Sequence, residues 1–112
     1  MLEAEEMDEI LSGIRSDDAK TRDLAADSVT DIARALSPQQ TNEIARSLVA
    51  AAVQEEVEDC RESELNALDD LTGWHPIDRD LLRPVLDIER TGLGVSEQEY
   101  LDNLARYVSG EA

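Results

Sequence analysis

The sequence predicts an all-α protein, a short right-handed stack of about three antiparallel helix pairs. Helix-favouring Ala, Leu, Glu and Arg are abundant, while only three Pro and five Gly interrupt the chain. Apolar residues recur at the three- and four-residue spacing of one buried helix face. Two stretches also match at an offset of 39 residues, a period typical of stacked helix pairs.

The internal repeat is clearest when the sequence is aligned with itself so that Arg61 matches Arg22; Leu68 then matches Val29. Other pairs at this offset are Leu71 with Ile32, Val49 with Ile10, and Val53 with Ile14. The repeat therefore covers both helices of a unit. One domain over 1–112 divides into units of about 3–36, 37–73 and 77–108, and the last departs most from the pattern.

Each unit supplies two predicted helices with an apolar stripe for the core. They cover about 3–14, 18–36, 38–54, 56–71 or 72, 78–90 and 96–108. The predicted stripes are Met7, Ile10, Leu11 and Ile14; Ala25, Val29, Ile32, Ala33 and Leu36; Ile44, Leu48, Val49, Ala52 and Val53; Leu65, Leu68 and Leu71; Leu81, Leu82, Val85, Leu86 and Ile88; Leu101, Leu104 and Val108.

Capping residues predict where three of the helices begin. Ser16 or Asp17 is expected to cap the second helix, and Ser37 the third, because Pro38 suits a first helical position. Ser96 opens the last helix, with Glu99 three residues later in a capping-box arrangement.

Glycine and proline predict where helices end or bend. Gly73 is expected to end the fourth helix in the left-handed conformation. Pro84 lies inside the fifth pattern and is expected to kink or restart that helix. Residues 109–112 are expected to fray.

Composition limits the possible functions. A net charge of -17 repels nucleic acid and anionic membranes and attracts basic partners, although acidity can also serve solubility alone. No signal peptide or membrane span is visible, so we expect a cytoplasmic protein that is monomeric when free.

No motif predicts an enzyme, a metal site or a cofactor. The sequence has no phosphate-binding loop, no zinc-binding His-Glu-x-x-His and no nucleophile elbow. Cys60 is the sole cysteine; we expect it to be a half-buried packing residue, since neighbouring acids disfavour a thiolate. His75 is the sole histidine, so a His/Cys metal site is not supported.

The repeated acidic turn followed by Arg-x-x-x-x-x-[Ala/Ser]-[Val/Leu]-x-x-[Ile/Leu] resembles the HEAT-repeat family. The pattern covers 17–32 and again 56–71. The resemblance implies that Arg22 and Arg61 form a ladder of ion pairs with acids near the turns, for which Asp17 and Glu55 or Glu56 are the matches. The proline that the family carries in the first helix of each unit is missing.

A small, strongly acidic helical scaffold also resembles the immunity proteins of bacterial toxin systems. This resemblance implies a non-catalytic protein that binds and blocks a cognate basic toxin domain, such as a nuclease. Two alternatives stay open: a general adaptor whose acidity only serves solubility, and a DNA mimic that competes with duplex DNA for many DNA-binding proteins.

The predicted binding surface lies on the second and fourth helices, whose solvent positions would form a negative surface. We call this surface the acidic strip: Asp23, Asp27, Thr30, Asp31, Glu58, Glu62, Asn66 and Asp69. The residues predicted to bind the partner are Asp27, Asp31, Glu58, Glu62, Asn66, Asp69, Trp74 and His75. A merely solvated face is the alternative. Trp74 either plugs the gap between the second and third units or anchors an interface, and His75 is expected to be an exposed loop residue.

Overall fold

The computed structural model describes residues 1–110, and within them the chain forms six α-helices and no strand. They are α1 (Ala4–Ile14), α2 (Ala19–Ile32), α3 (Pro38–Gln54), α4 (Glu58–Trp74), α5 (Arg79–Leu82) and α6 (Val95–Ser109). Short 3-10 turns follow α2 and α5, at Ala33–Ala35 and Arg83–Asp87. The all-α class predicted from the sequence is confirmed.

The helices contact one another in two rows. In one row α2 packs along α4 and α4 along α6, while in the other α1 contacts α3 and α3 contacts α5. Consecutive helices also pair across the rows, α1 with α2, α3 with α4 and α5 with α6. Because α4 touches α2, α3 and α6, it is the central element of the fold.

The core between the rows is aliphatic, as the sequence predicts. Val29 and Leu68, which hold equivalent positions in the 39-residue repeat, are both fully buried. Val53 was wrongly predicted to be a core residue; it is 50% exposed, because the short α5 segment leaves an open groove beside the end of α3. None of the helices in residues 1–110 has the length and apolar character that a membrane span requires.

Two helices begin at residues other than those predicted. The cap of α2 is Asp18, whose Oδ2 accepts from the Thr21 N–H at 3.0 Å, rather than Ser16 or Asp17. Helix α6 begins after Gly94, so the predicted capping box of Ser96 and Glu99 is wrong. Ser37 does cap α3, and its hydroxyl accepts from the Gln40 N–H at 3.1 Å.

The Gly94 N–H is instead satisfied by the carboxylate of Glu97, at 3.1 Å. Glu97 reaches this amide because it lies in the first turn of α6, one turn after Gly94. The side chain that closes the start of α6 is therefore Glu97.

Proline determines two helix ends. Helix α4 continues through Gly73, which is not left-handed, and ends at Trp74 because Pro76 forces His75 into an extended conformation. Pro84 ends the α-helical geometry of α5 at Leu82, as predicted, and the chain tightens into a 3-10 turn. Helix α6 remains helical to Ser109, contrary to the prediction of fraying there; residues 111–112 lie outside the described part.

Helices α1 and α2 approach closely at Gly13. A Cβ built on Gly13 would lie 2.7 Å from the Cβ of Ala25, so a larger residue at either position would separate the helices. Gly13 is therefore a packing residue between α1 and α2.

Candidate partner-binding surface

An ion pair joins the first helix pair to the second. Arg22 of α2 donates from Nε and Nη2 to the two carboxylate oxygens of Glu55, at 2.8 and 2.9 Å. Its remaining nitrogen donates to the carbonyl oxygens of Ser16 and Asp17, at 3.0 and 3.1 Å. The guanidinium thus ties the turn before α2 to the turn before α4.

The same arrangement recurs one unit later. Arg61 of α4 donates from Nε and Nη2 to Glu97 of α6, at 3.0 and 3.4 Å, and from Nη1 to the carbonyl oxygen of Glu55 at 3.1 Å. Glu55 therefore serves both arginines, one through its carboxylate and one through its backbone. The two pairs form a continuous ladder along the α2–α4–α6 row.

This ladder agrees with the role predicted for Arg22, Arg61 and Glu55. The prediction for Asp17 is wrong, because Asp17 offers Arg22 its carbonyl oxygen and not its carboxylate. Glu97 was not predicted at all.

Glu55 is held ionised by its partners. Burial opposes ionisation of this carboxyl, but the hydrogen bonds from Arg22 and from the Val57 N–H outweigh it, and the pKa of Glu55 is lowered. The Glu55 side chain is only 3% exposed, so the pair with Arg22 is protected from solvent screening.

Beside the ladder, Glu64 of α4 places a fully buried carboxyl next to that of Glu55. Among the described residues no group donates a hydrogen bond to either Glu64 oxygen, so no hydrogen bond stabilises the ionised form. Burial, followed by a side-chain hydrogen bond with Glu55 and the charge of the Glu55 carboxylate, raises the pKa of Glu64 to about 9. Glu64 is therefore neutral at physiological pH.

The sole cysteine also packs into this junction. Cys60 is a packing residue as expected, but it is fully buried rather than half-buried, and its Sγ donates to the Ala19 carbonyl oxygen at 2.9 Å. Burial raises the pKa of the thiol, followed by the effect of the Glu55 carboxylate, so the thiolate is disfavoured.

The α2 half of the acidic strip presents carboxylates to solvent. Asp27 and Asp31 are exposed and lie one helical turn apart. Asp23 is half-buried and accepts a hydrogen bond from Ser63 of α4, which links the two helices at the surface. Thr30 turns its hydroxyl back onto the Asp27 carbonyl oxygen, at 2.8 Å.

The α4 half is partly engaged with α6. Glu58 and Glu62 are exposed, whereas Asn66 and Asp69 are half-buried. The Asp69 Oδ2 accepts from Nδ2 of Asn103 at 3.0 Å, so this end of the strip continues onto α6.

Electrostatics in the strip are dominated by like charges. Within residues 1–110 none of the strip carboxylates forms an ion pair. Burial and then the Asp69 carboxylate raise the pKa of Asp70. Burial, followed by Glu62, Glu99 and Asp69, likewise raises the pKa of Tyr100. For both groups the neighbouring carboxylates, Asp69 among them, act in the same direction as burial.

Trp74 lies at the end of α4 and does not plug an inter-unit gap. Its indole is 51% exposed, and the Arg34 guanidinium lies 5.6 Å from the ring centroid. The exposed aromatic face leaves its predicted role as an interface anchor open.

His75 is half-buried and not an exposed loop residue. Its Nε2 lies 2.7 Å from the Ala33 carbonyl oxygen, which joins the end of α4 to the 3-10 turn after α2.

The roles of Glu64 and Glu97 were not predicted, because a glutamate on a helix is normally exposed. The burial of Glu64 could have been predicted from its spacing, since it lies one helical turn from Cys60 and one turn from Leu68 on a buried stripe. For Glu97 the signal was weaker, because the third unit does not keep the 39-residue period.

Across the described residues no three His, Cys, Asp or Glu side chains converge to hold a metal ion. The chain matches no protein-family model, no curated protein and no solved structure. Its function has to be inferred from its own residues.

Proposed function

We propose that the chain is a HEAT-like stack of three helix pairs that catalyses nothing and binds a basic protein through its acidic strip. We further propose that this partner is a toxin domain, which makes the chain an immunity protein. The observation that carries the proposal is the row of carboxylates on two adjacent helices that form no ion pair within residues 1–110.

The HEAT-like part of the proposal is supported by the repeated ladder. Arg22 and Arg61 hold the same position in successive units. Each pairs with a glutamate later in the chain, Arg22 with Glu55 in the turn before α4 and Arg61 with Glu97 in the first turn of α6. The helix contacts in two rows also suit a stack of pairs.

The choice of a basic partner follows from uncompensated charge. Asp27, Asp31 and Glu62 are exposed, and a cationic surface would relieve their mutual repulsion. Long-range attraction of this kind speeds association and makes it sensitive to salt. A toxin that acts on nucleic acid carries such a cationic surface, and covering it would block the toxin.

The experiment is a pull-down from an extract of the source cells at low and at high salt, with mass spectrometry of the retained proteins. The strip variant carries Asp27→Asn, Asp31→Asn, Glu62→Gln and Asp69→Asn. The matched control removes the same number of charges away from the α2–α4–α6 row, with Asp8→Asn, Glu43→Gln, Asp80→Asn and Asp87→Asn.

We expect one basic protein in near-equal amount, held by wild type and control, released by high salt and lost from the strip variant. Inhibition of that protein's toxicity by the free chain completes the immunity assignment. A neutral partner that the strip variant still retains would refute the proposal and favour the adaptor. Capture of many unrelated DNA-binding proteins, displaced by duplex DNA, would instead favour the DNA mimic.

A further inference from the structure

An open groove lies between α1 and α2, on the side of α2 away from α4. Its volume is about 430 Å³, and its apolar lining includes Ile10, Ala25 and Ile32. Leu24 lies at its edge and is 61% exposed. Leu24 thus adds exposed apolar surface to the rim of the groove.

The internal repeat identifies this groove as an uncovered stacking face. In the 39-residue repeat, the α2 residues Ala25, Ser28 and Ile32 correspond to three residues of α4. These three, Glu64, Ala67 and Leu71, are fully buried. Thr21 likewise corresponds to Cys60, which hydrogen-bonds to Ala19 of α2. The equivalent face of α4 is thus the one that α2 covers. On this face of α2 only α1 makes contact, at Gly13 and Ala25, and no helix among the described residues takes the place that α2 takes on α4.

The α1 side of the groove carries acids where the equivalent helix is apolar. Glu6 and Glu9 both line the groove. In the 39-residue repeat they correspond to Ala45 and Leu48, which are fully buried in α3. The open face thus keeps the shape that accepts a neighbouring helix and adds a negative edge.

We propose that this groove docks an amphipathic helix of a partner protein, with its apolar side on Leu24 and the groove and with lysine or arginine beside Glu6 and Glu9. The repeat supplies the argument for a helix, because the equivalent face takes one. The charge supplies the argument for a basic partner. A second copy of the chain also has a net charge of -17 and would be repelled by Glu6 and Glu9.

The groove shares no lining residue with the acidic strip and lies on the other side of α2 from the α2–α4 contact. This inference rests on the proposed function only in taking a basic protein as partner. A toxin bound at the strip could place one of its own helices here, which would add affinity without new charge on the strip.

The probe is a synthetic 18-residue peptide with leucine at helical spacing and lysine elsewhere. A scrambled peptide of the same composition has no apolar face, and an analogue carries glutamate in place of lysine. Binding is measured by isothermal titration, and the contact is located by amide chemical shifts of the ¹⁵N-labelled chain. Sedimentation of the free chain reports self-association.

The variant Leu24→Asp places a charge at the edge of the groove without disturbing a buried residue. The matched control is Val95→Asp, since Val95 is an exposed apolar residue at the start of α6. Circular dichroism and thermal unfolding confirm that both variants fold as wild type does. The acidic-strip variant described above is titrated as well.

We expect micromolar binding of the basic amphipathic peptide, with shifts at Ile10, Ala25 and Ile32, weakened at least tenfold by Leu24→Asp but not by Val95→Asp. The scrambled and glutamate peptides should bind at least tenfold more weakly than the basic amphipathic one. Equal affinity of wild type and Leu24→Asp would overturn the proposal, as would a dimer of the free chain that Leu24→Asp dissociates. Loss of peptide binding in the strip variant alone would overturn it too and leave the proposed function standing.

Discussion

The carboxylate of Glu55 accepts two hydrogen bonds from Arg22 although 33 residues separate them along the chain. The pair lies where one helix pair meets the next. Its geometry is bidentate, which combines charge with a fixed orientation of both side chains. Because the pair also positions the carbonyl that Arg61 uses, it links both joints of the α2–α4–α6 row.

Removing one side of this pair should destabilise the protein strongly. For Glu55→Gln we expect a loss of about 2 to 3 kcal/mol, because a shielded guanidinium loses its charge partner. Arg22→Lys should lose roughly 1 kcal/mol, since lysine cannot make the bidentate contact. Urea unfolding at neutral pH measures both.

The control for the ladder is the exposed pair of Arg83 and Asp80, whose side chains are 60% and 81% exposed. Arg83→Ala should change the unfolding free energy by less than about 0.5 kcal/mol. A change in Glu55→Gln as small as this would show that the ladder contributes little to the fold.

The buried carboxyl of Glu64 should make stability fall as pH rises. Its folded pKa, about 9, lies above the ordinary value of 4.5, so between these values the folded chain holds a proton that the unfolded chain releases. The stabilisation is complete below pH 4.5 and is lost as pH rises towards 9, with a slope of up to about 1.4 kcal/mol per pH unit.

Glu64→Gln keeps the shape and removes the titration, so its stability should depend much less on pH from about 6.5 to 8.5. Glu62→Gln, on the exposed face of the same helix, is the control and should follow the wild-type slope. Urea unfolding across this range provides the test. Parallel curves for wild type and Glu64→Gln would mean that Glu64 is not protonated in the folded protein.

Two glycines should respond in opposite directions to alanine. Gly13→Ala should lose about 1 to 3 kcal/mol, because the new methyl group overlaps Ala25. Gly73→Ala should gain about 0.5 to 1 kcal/mol, because no atom of residues 1–110 lies within 4 Å of its Cβ position and alanine favours a helix. Thermal unfolding compares them directly, and equal shifts would contradict the close approach of α1 and α2.

Charge removal on the acidic strip should stabilise the free protein. Asp31→Asn relieves repulsion from Asp27 one turn away, and we expect a gain of about 0.3 to 0.5 kcal/mol at low salt that disappears at high salt. Glu5→Gln removes an acid from the first turn of α1, where the helix dipole favours it, so the sign should reverse. Thermal unfolding at two salt concentrations distinguishes these effects; destabilisation by Asp31→Asn at low salt would refute the repulsion.

Much of the fold could be predicted because local rules and the repeat agree. Helical spacing predicts the buried stripe that includes Leu68, and local sequence predicts the cap at Ser37. The 39-residue offset predicts the role of Arg61 from that of Arg22. Val53 and Trp74 could not be placed in this way. Their exposure depends on the short length of α5 and on where Pro76 stops α4, and both effects are tertiary.

The candidate surface was predictable in position but not in detail. Helical spacing placed Asp27 and Glu62 on the solvent side, and the structure agrees. Contacts across helices, such as those of Asp23 with Ser63 and Asp69 with Asn103, require the packed rows. A single sequence has no rule that brings such residues together.

The central claim is that a basic protein covers the acidic strip, and amide hydrogen exchange tests it most directly. Exchange is compared between the free chain and its complex with the protein captured at low salt. Binding to the strip predicts slower exchange over residues 23–31 and 58–69, with little change in α3. Protection confined to α1, α3 and α5, with α2 and α4 unchanged, would contradict the claim.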